Sequence, residues 1–362
     1  VVIKIKIAIM GAGLSGLACA LTLEQKGITP VIFEKRREFG DRFVNCEILL
    51  SALSKPINDA IKYFSEKHKI YLNPASNIKE LIIHSPHQTA VIKGNLGYTN
   101  LRGRIDNSFE KQLGQQVKSK VRFKSSKSYE KLLHEYSHVI LATGDAAYAQ
   151  KISSYDTAFT VKLKGANIKG DFAISSVHAW LNNDFAPQGY CYLIPISHDR
   201  ANIVIAYPEY PRNKKIDSNL LWEKFKKGVA NTLNQSLEIY EQFEITEYMV
   251  GICQYPRIGN TFLVGNNFGS IMPFLGFGQV AAILTGIYAA LDISGQGDYQ
   301  DLTKRLRKSF NNSLTLRKTM EKMSNDNFDT LVKSLKGRIG QGIFTGKLNY
   351  LKVVSKLLKP FV

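Results

Sequence analysis

Cysteine is scarce in this 362-residue chain: Cys19, Cys46, Cys191 and Cys253 lie far apart, with no CxxC pair. That spacing excludes a disulfide-stapled scaffold and a zinc ribbon and suits thiols kept reduced in a cytoplasm. Acid is in deficit too, with 30 Asp+Glu against 48 Lys+Arg and a formal net charge of +18. No RRM, helix-turn-helix or finger pattern accompanies the surplus, so nucleic acid is not an expected partner. The stretch from Ile258 to Leu291 lacks a charged side chain, but Asn260, Asn266, Asn267, Pro273, Gln279 and six glycines interrupt it. A spanning helix needs a more continuous apolar run. VVIKIKIAIM lacks the polar start and the cleavage site of a signal peptide, and the expected location is cytoplasmic. His84-Ser-Pro-His87 and the pair His134 and His138 have no third ligand set nearby, so these are read as structural or solvated histidines and no metal is expected. Internal repeats, Ser/His/Asp sets and paired carboxylates are also missing.

What is present is enough apolar material, 44% of residues, for a sizeable core in roughly two or three domains. The N-terminal run is β-branched and ends in Gly11-Ala-Gly13-Leu14-Ser15-Gly16, after which Leu17, Ala20, Leu21 and Leu23 fall at helical spacing until Gly27. Thr29 to Phe33 reads as a second strand, closed by Glu34-Lys35-Arg36. Strand, glycine turn, helix and strand with a terminal acid make a dinucleotide site. Gly11 makes the turn, Gly13 lets a pyrophosphate approach the backbone, and Gly16 brings helix and strand together. The helix start at Leu14 and Ser15 offers free N–H groups to phosphate, and Glu34 would accept from ribose hydroxyls.

Further along, Gly40 to Pro56 reads as loop, Ile57 to His68, Ile105 to Val117 and Tyr129 to Glu135 as helices, and Ser137 to Gly144 as a buried strand with a tight turn. From about 155 to 250 the alternation of Thr157 to Leu163, Phe172 to Trp180, Tyr190 to Ile196 and Ala201 to Tyr207 predicts antiparallel strands around a helix near Ser218 to Asn231. Helix resumes at Gly278 and occupies nearly everything after Leu302.

The glycine loop serves FAD and NAD(P) alike, and three later segments favour FAD. Val139 to Gly144, with Thr143, resembles the strand-turn that returns to the nucleotide in two-dinucleotide-type flavoproteins. Phe262-Leu-Val-Gly265-Asn266-Asn267-Phe-Gly269 resembles the "GD" segment at the ribityl chain. Pro273-Phe-Leu-Gly276-Phe277-Gly278-Gln279 opens a helix whose N–H groups would stabilise negative charge on the flavin edge. Pro187-Gln-Gly-Tyr190-Cys-Tyr192-Leu-Ile-Pro195 is similar to the PxxYxWxFP signature of the geranylgeranyl reductase family of FAD-dependent oxidoreductases, whose fold is shared with aromatic hydroxylases. Glu34-Lys35-Arg36 followed by Cys46-Glu47, Arg102-Gly-Arg104-Ile-Asp106, and Leu316 to Leu335 extend the resemblance over nearly the whole chain.

The resemblance implies an α/β fold: a Rossmann-like parallel FAD-binding sheet from 1–150 and 250–295, an inserted mixed antiparallel substrate domain at 151–249, and a C-terminal helical region at 296–362. It implies that Arg104 meets the FAD pyrophosphate, that Cys46 lies near the isoalloxazine, and that Tyr190 and Tyr192, with Pro195, line a substrate cavity. The implied activity is reduction of a carbon–carbon double bond in a prenyl-type or other apolar substrate by hydride from reduced flavin. Cys46, Tyr190 and water are the candidate proton donors. A monooxygenase or dehydrogenase on a small aromatic or amine substrate, and an electron-transfer flavoprotein without alkene reductase activity, are the alternatives.

Several positions depart from the pattern. Asn266 stands where the family has Asp, Tyr192 replaces Trp, Ile194 replaces Phe, and Thr143-Gly144-Asp145 replaces an Asp-Gly fingerprint. A carboxylate accepts more strongly than an amide, so Asn266→Asp is expected to retain or strengthen FAD binding. Residues 302–362 carry fourteen Lys/Arg against three acids, which suits an acidic electron donor such as a ferredoxin or an anionic membrane surface. Lys352, Lys356 and Lys359, flanked by Leu348, Leu351, Val354 and Leu358, would place one basic helical face on such a surface.

Overall fold

The computed structural model describes residues 5–152 and 155–345; the basic face at 348–359 lies outside the described residues. The chain opens with β1 (Ile7–Met10), α1 (Leu14–Gln25), β2 (Val31–Phe33), β3 (Asn45–Leu50) and α2 (Ala60–His68). It continues with β4 (Ser76–His84), β5 (Thr89–Arg102), α3 (Phe109–Gln116), β6 (Val121–Arg122), α4 (Tyr129–Glu135), β7 (His138–Leu141) and α5 (Ala147–Ile152). Then come β8 (Tyr155–Lys169), β9 (Ser176–Trp180), β10 (Tyr190–Pro195), β11 (Arg200–Pro208), α6 (Ser218–Leu233), β12 (Glu238–Cys253), β13 (Arg257–Ile258) and β14 (Thr261–Leu263). Four helices follow: α7 (Gln279–Ile293), α8 (Tyr299–Met320), α9 (Asn325–Ser334) and α10 (Arg338–Phe344).

The first sheet has the order β13-β14-β7-β1-β2-β6 and is parallel apart from the β13–β14 hairpin. This is the expected nucleotide-binding α/β layer, and residues near 257–263 return to it beside β7. Its strands are nearly continuous runs of buried residues because helices cover the sheet; Ile7, Ile9, Leu17, Leu23, Ile140, Phe262 and Ile287 share one core.

The second sheet has the order β12-β8-β11-β10-β9-β4-β5-β3 and is antiparallel except where β9 runs parallel to β4. It corrects the boundary drawn at 151. Three of its strands, β3, β4 and β5, precede that residue, and β4 pairs with β9 from Glu80↔Ser176 to His84↔Trp180. The pairing is non-local, so no short-range pattern announces it. The loop expected from Gly40 to Pro56 contains β3, registered against β5 as Asn45↔Arg102, Cys46↔Leu101 and Glu47↔Asn100. Its inward polar residues, Asn45 and Glu47, had hidden the alternation.

Buried amides hold β3 over the face of β8 and β11. Asn202 accepts from the Cys46 N–H at 3.3 Å and donates to Asn167 at 2.8 Å, while Asn167 donates to the Val44 carbonyl at 3.0 Å. Both asparagines are fully buried, so each hydrogen bond offsets a desolvation that would otherwise be uncompensated. Among the described residues, no helix is long and apolar enough to cross a membrane.

Most of the longer helices begin with a side-chain cap: Asp59, Ser108, Asp217, Asp298 and Ser324 each accept an amide of the first turn. α1 and α7 begin instead at Gly13 and Gly278 without one. These two helices pack face to face, and a Cβ at Gly286 would lie 2.0 Å from the Ser15 carbonyl oxygen. Gly286→Ala should therefore push α7 off α1 and destabilise the apoprotein by about 1–3 kcal/mol, read by urea denaturation; an unchanged midpoint would show that the two helices separate freely.

Candidate functional site

One cavity of about 1730 Å³ runs between the two sheets and beneath the C-terminal helices. Pockets for single drug-sized ligands occupy roughly 300–1,000 Å³, so this one has room for a large cofactor and a second molecule. One end is polar and is lined by Gly11, Gly13, Leu14, Ser15, Glu34, Lys35, Arg36, Thr143 and Gly144. The middle is lined by Cys46, Gly265, Asn266, Gly276, Phe277, Gly278 and Gln279. The rest is largely apolar, with Val161, Leu163, Ile245, Met320, Leu335 and Phe344 on its walls.

The polar end has room for a dinucleotide. A Cβ at Gly13 would meet nothing within 4 Å, whereas one at Gly16 would sit 2.1 Å from the Gly11 carbonyl oxygen. The space above Gly13 is therefore kept for a ligand, and Gly16 serves the packing of helix on strand. Glu34 is oriented by the N–H groups of Ala12 at 2.7 Å and Arg36 at 2.9 Å, one on each carboxylate oxygen, and each oxygen keeps a lone pair for ribose. The uncapped starts of α1 and α7 both open onto this cavity, where their amides and dipoles favour negative charge. The residues present fit FAD.

Arg104 is not brought to the site. β5 ends at Arg102 and Gly103 turns the chain with φ +92°, so Arg104 is exposed and pairs with Glu241 at 2.6 Å. Arg102 faces the cavity in its place, 2.9 Å from both Glu47 and Glu110. Arg42 adds longer contacts of 3.8 Å to the same carboxylates, and Gln279 at the start of α7 donates to Glu47 and, at 3.0 Å, to Asn100. Burial works to raise the carboxyls of Glu47 and Glu110, but Arg102 and Arg42 outweigh it and hold both below the usual carboxylate range. The resemblance implied a pyrophosphate contact for Arg104, which the turn at Gly103 and the pair with Glu241 keep outside the cavity. The pairing of Arg102 with Asn45 across β3 and β5 was the missing information.

Tyr190 lines the cavity, but its hydroxyl donates to the Leu275 carbonyl at 2.7 Å, and burial pushes its pKa up to about 12. That bond ties Tyr190 to the 273–278 loop. Cys46 is fully buried in the wall, its Sγ 4.0 Å from the Pro195 carbonyl; burial, followed by the charge of Glu47, pushes its thiol up. Pro195 itself lies behind Cys46 and does not line the cavity. Tyr192 does line it, stacked on Tyr190 with centroids 6.4 Å apart.

Asn266 donates to the Gly144 carbonyl at 2.8 Å and to the Tyr248 hydroxyl at 2.8 Å. A carbonyl only accepts, so the amide nitrogen must face it; the neutral residue stitches the turn after β7 to the 265–267 segment. Among the described residues no group of three His, Cys, Asp or Glu could hold a metal. His84 is hydrogen-bonded to His178 at 3.0 Å and stacked with Trp180, and His87 pairs with Asp329 at 2.8 Å.

A family model described as pyridine nucleotide-disulphide oxidoreductase matches residues 5–180. Digeranylgeranylglycerophospholipid reductase 2 of Methanococcoides burtonii is 23% identical over 376 residues, covering 91% of this chain and 87% of the relative. The solved structure of a geranylgeranyl bacteriochlorophyll reductase-like protein from Thermoplasma acidophilum matches with a TM-score of 0.72 at 18% identity over 99% of each chain. Flavin-dependent brominase Bmp2 matches with a TM-score of 0.65 at 12% identity over 98% of this chain and 94% of its own. The two solved structures share this chain's fold, and the cradle at Gly13 and Glu34 has the groups that an FAD would need.

Gly13→Ala should cost the apoprotein less than about 1 kcal/mol yet weaken FAD by about tenfold or more, measured as flavin retained per protein beside the melting temperature. Gly16→Ala should lose fold and flavin together. Asn266→Asp would set a carboxylate against the Gly144 carbonyl, so it should weaken FAD binding by about 1–3 kcal/mol, the reverse of the expectation from acceptor strength alone. Titration of the apoprotein with FAD decides this, and equal or tighter binding would contradict the donor role.

Proposed function

We propose that this chain, an FAD-dependent oxidoreductase on the fold it shares with geranylgeranyl reductase-like proteins, adds two hydrogens across a carbon–carbon double bond of a prenyl-type lipid. The observation that carries this reading is a single cavity with two chemically different ends, a dinucleotide cradle at Gly13 and Glu34 and an apolar chamber under α8–α10. The relative from Methanococcoides burtonii is a reductase named for a geranylgeranyl phospholipid, and an apolar chamber is what such a substrate needs. Bound FAD would supply the hydride chemistry.

The protein's own groups bind, orient and exclude water. The amides at the starts of α1 and α7 favour anionic groups on the cofactor. Tyr190 fixes the loop that opens α7, and Met320, Leu335 and Phe344 close the far wall against water. Of the two side chains considered as proton donors, Tyr190 is held by Leu275 at 2.7 Å, whereas the Cys46 thiol in the cavity wall has only a long contact of 4.0 Å to the Pro195 carbonyl. We assign delivery of the proton to Cys46 Sγ. The basic surplus over 302–362 suits an acidic electron donor such as a ferredoxin and an anionic membrane surface.

Photoreduced holoprotein mixed anaerobically with a geranylgeranyl lipid should recover the oxidised flavin spectrum and yield a product heavier by two hydrogens. Cys46→Ala should slow that recovery by about a hundredfold while photoreduction proceeds as before. Flavin that stays reduced until oxygen is admitted, with substrate recovered unchanged or oxygenated, would reject the alkene reductase reading.

A further inference from the structure

We propose that Tyr192 is a specificity residue, and that the substrate of this cavity presents an oxygen acceptor, such as a carbonyl or ether, to its hydroxyl. The inference rests on the reading of the cavity as an apolar-substrate site and narrows what that substrate is.

Strand alternation separates the side chains of β10. Tyr190, Tyr192 and Ile194 line the cavity, while Cys191 and Leu193 enter the core behind it with Trp180. The two tyrosines stack with 28° between their planes, yet their hydroxyls are used differently. Tyr190 donates to Leu275. The hydroxyl of Tyr192 has no hydrogen-bond partner among the described residues, and it belongs to a half-buried ring that, like Phe277, packs against the cluster containing Cys46 and Ile194.

The polar groups that could have served it are engaged elsewhere. Glu47 is bound by Arg102 and Gln279, and the Cys46 amide is bound by Asn202. Burial pushes the phenol well above its ordinary range, so it stays an O–H donor at any pH the protein meets. The hydroxyl opens onto the cavity; an apolar ligand that displaced water from it would leave it without an acceptor, which is costly, and Phe would fill the same wall without that cost. The acceptor therefore comes from the ligand, and a site built around such a donor discriminates against an analogue that lacks the oxygen.

The test uses FAD-loaded protein titrated with farnesylacetone, a polyprenyl ketone, and with farnesene, a prenyl hydrocarbon, following perturbation of the flavin absorbance. Wild type should bind the ketone about tenfold more tightly than the hydrocarbon. Tyr192→Phe should lose that preference while binding farnesene no more weakly than wild type and retaining its flavin. Tyr192→Leu gives a second variant with the same expected loss. A ketone preference that survives in Tyr192→Phe, or equal binding of both ligands by wild type, would overturn the assignment to Tyr192 and leave the alkene-reductase reading standing. If neither ligand perturbs the wild-type flavin, the apolar-substrate reading itself fails, and this inference with it.

Discussion

Arg102 lies between two carboxylates, Glu47 from β3 and Glu110 from α3, and Gln279 of α7 donates to the first of them. The cluster joins both sheets' layers at the middle of the cavity. Removing two acids and their arginine from water is expensive, and the attraction regained at close range offsets it only when the remaining hydrogen bonds are also made. Breaking such a buried pair from one side typically costs about 3–5 kcal/mol, because it leaves a charge stranded. The position of β3 at the cavity, and with it Cys46, depends on this cluster on one flank and on the Asn167–Asn202 pair on the other.

From that constraint follows the arrangement of the two helices that begin at the cavity. Gln279 is the first residue of α7, so its bonds to Glu47 and Asn100 fix where the helix starts. Behind it, Gly286 lets α7 press against α1, and the two uncapped N-termini open onto the same space. Ahead of it, Tyr190 holds Leu275 and Ser313 accepts the Phe274 amide at 2.9 Å. The loop between is gripped by the substrate wall on one side and by α8 on the other. Changes in the apolar chamber are thus mechanically connected to the loop at the cofactor, a coupling through contiguous packing and hydrogen bonds.

Much of this was legible in the residues alone. The glycine turn, the helix at 3.6-residue spacing and Glu34 are encoded within about 30 consecutive positions, and local rules of turn geometry and helix starts suffice to read them. The helix from Tyr129 to Glu135 and the strand from Tyr190 were recognisable for the same reason, since Ser128 caps the first and alternation marks the second. The chain's resemblance to the reductase family likewise rested on short contiguous segments.

Tertiary structure alone decided the features that depend on distant partners. β3 has too little apolar alternation to be recognised, because Glu47 is satisfied by Arg102 and Gln279 and the Cys46 backbone N–H by Asn202, partners 55, 232 and 156 positions away. The choice between Arg102 and Arg104 turns on the β3–β5 register and on the turn at Gly103, neither of which is a property of the tripeptide itself. The donor role of Asn266 depends on a carbonyl 122 residues earlier. A sequence fixes which groups can donate, accept or carry charge; whether each finds its partner in the protein or leaves it for a ligand, as at Tyr190 and Tyr192, is settled only when the sheet has closed around the cavity.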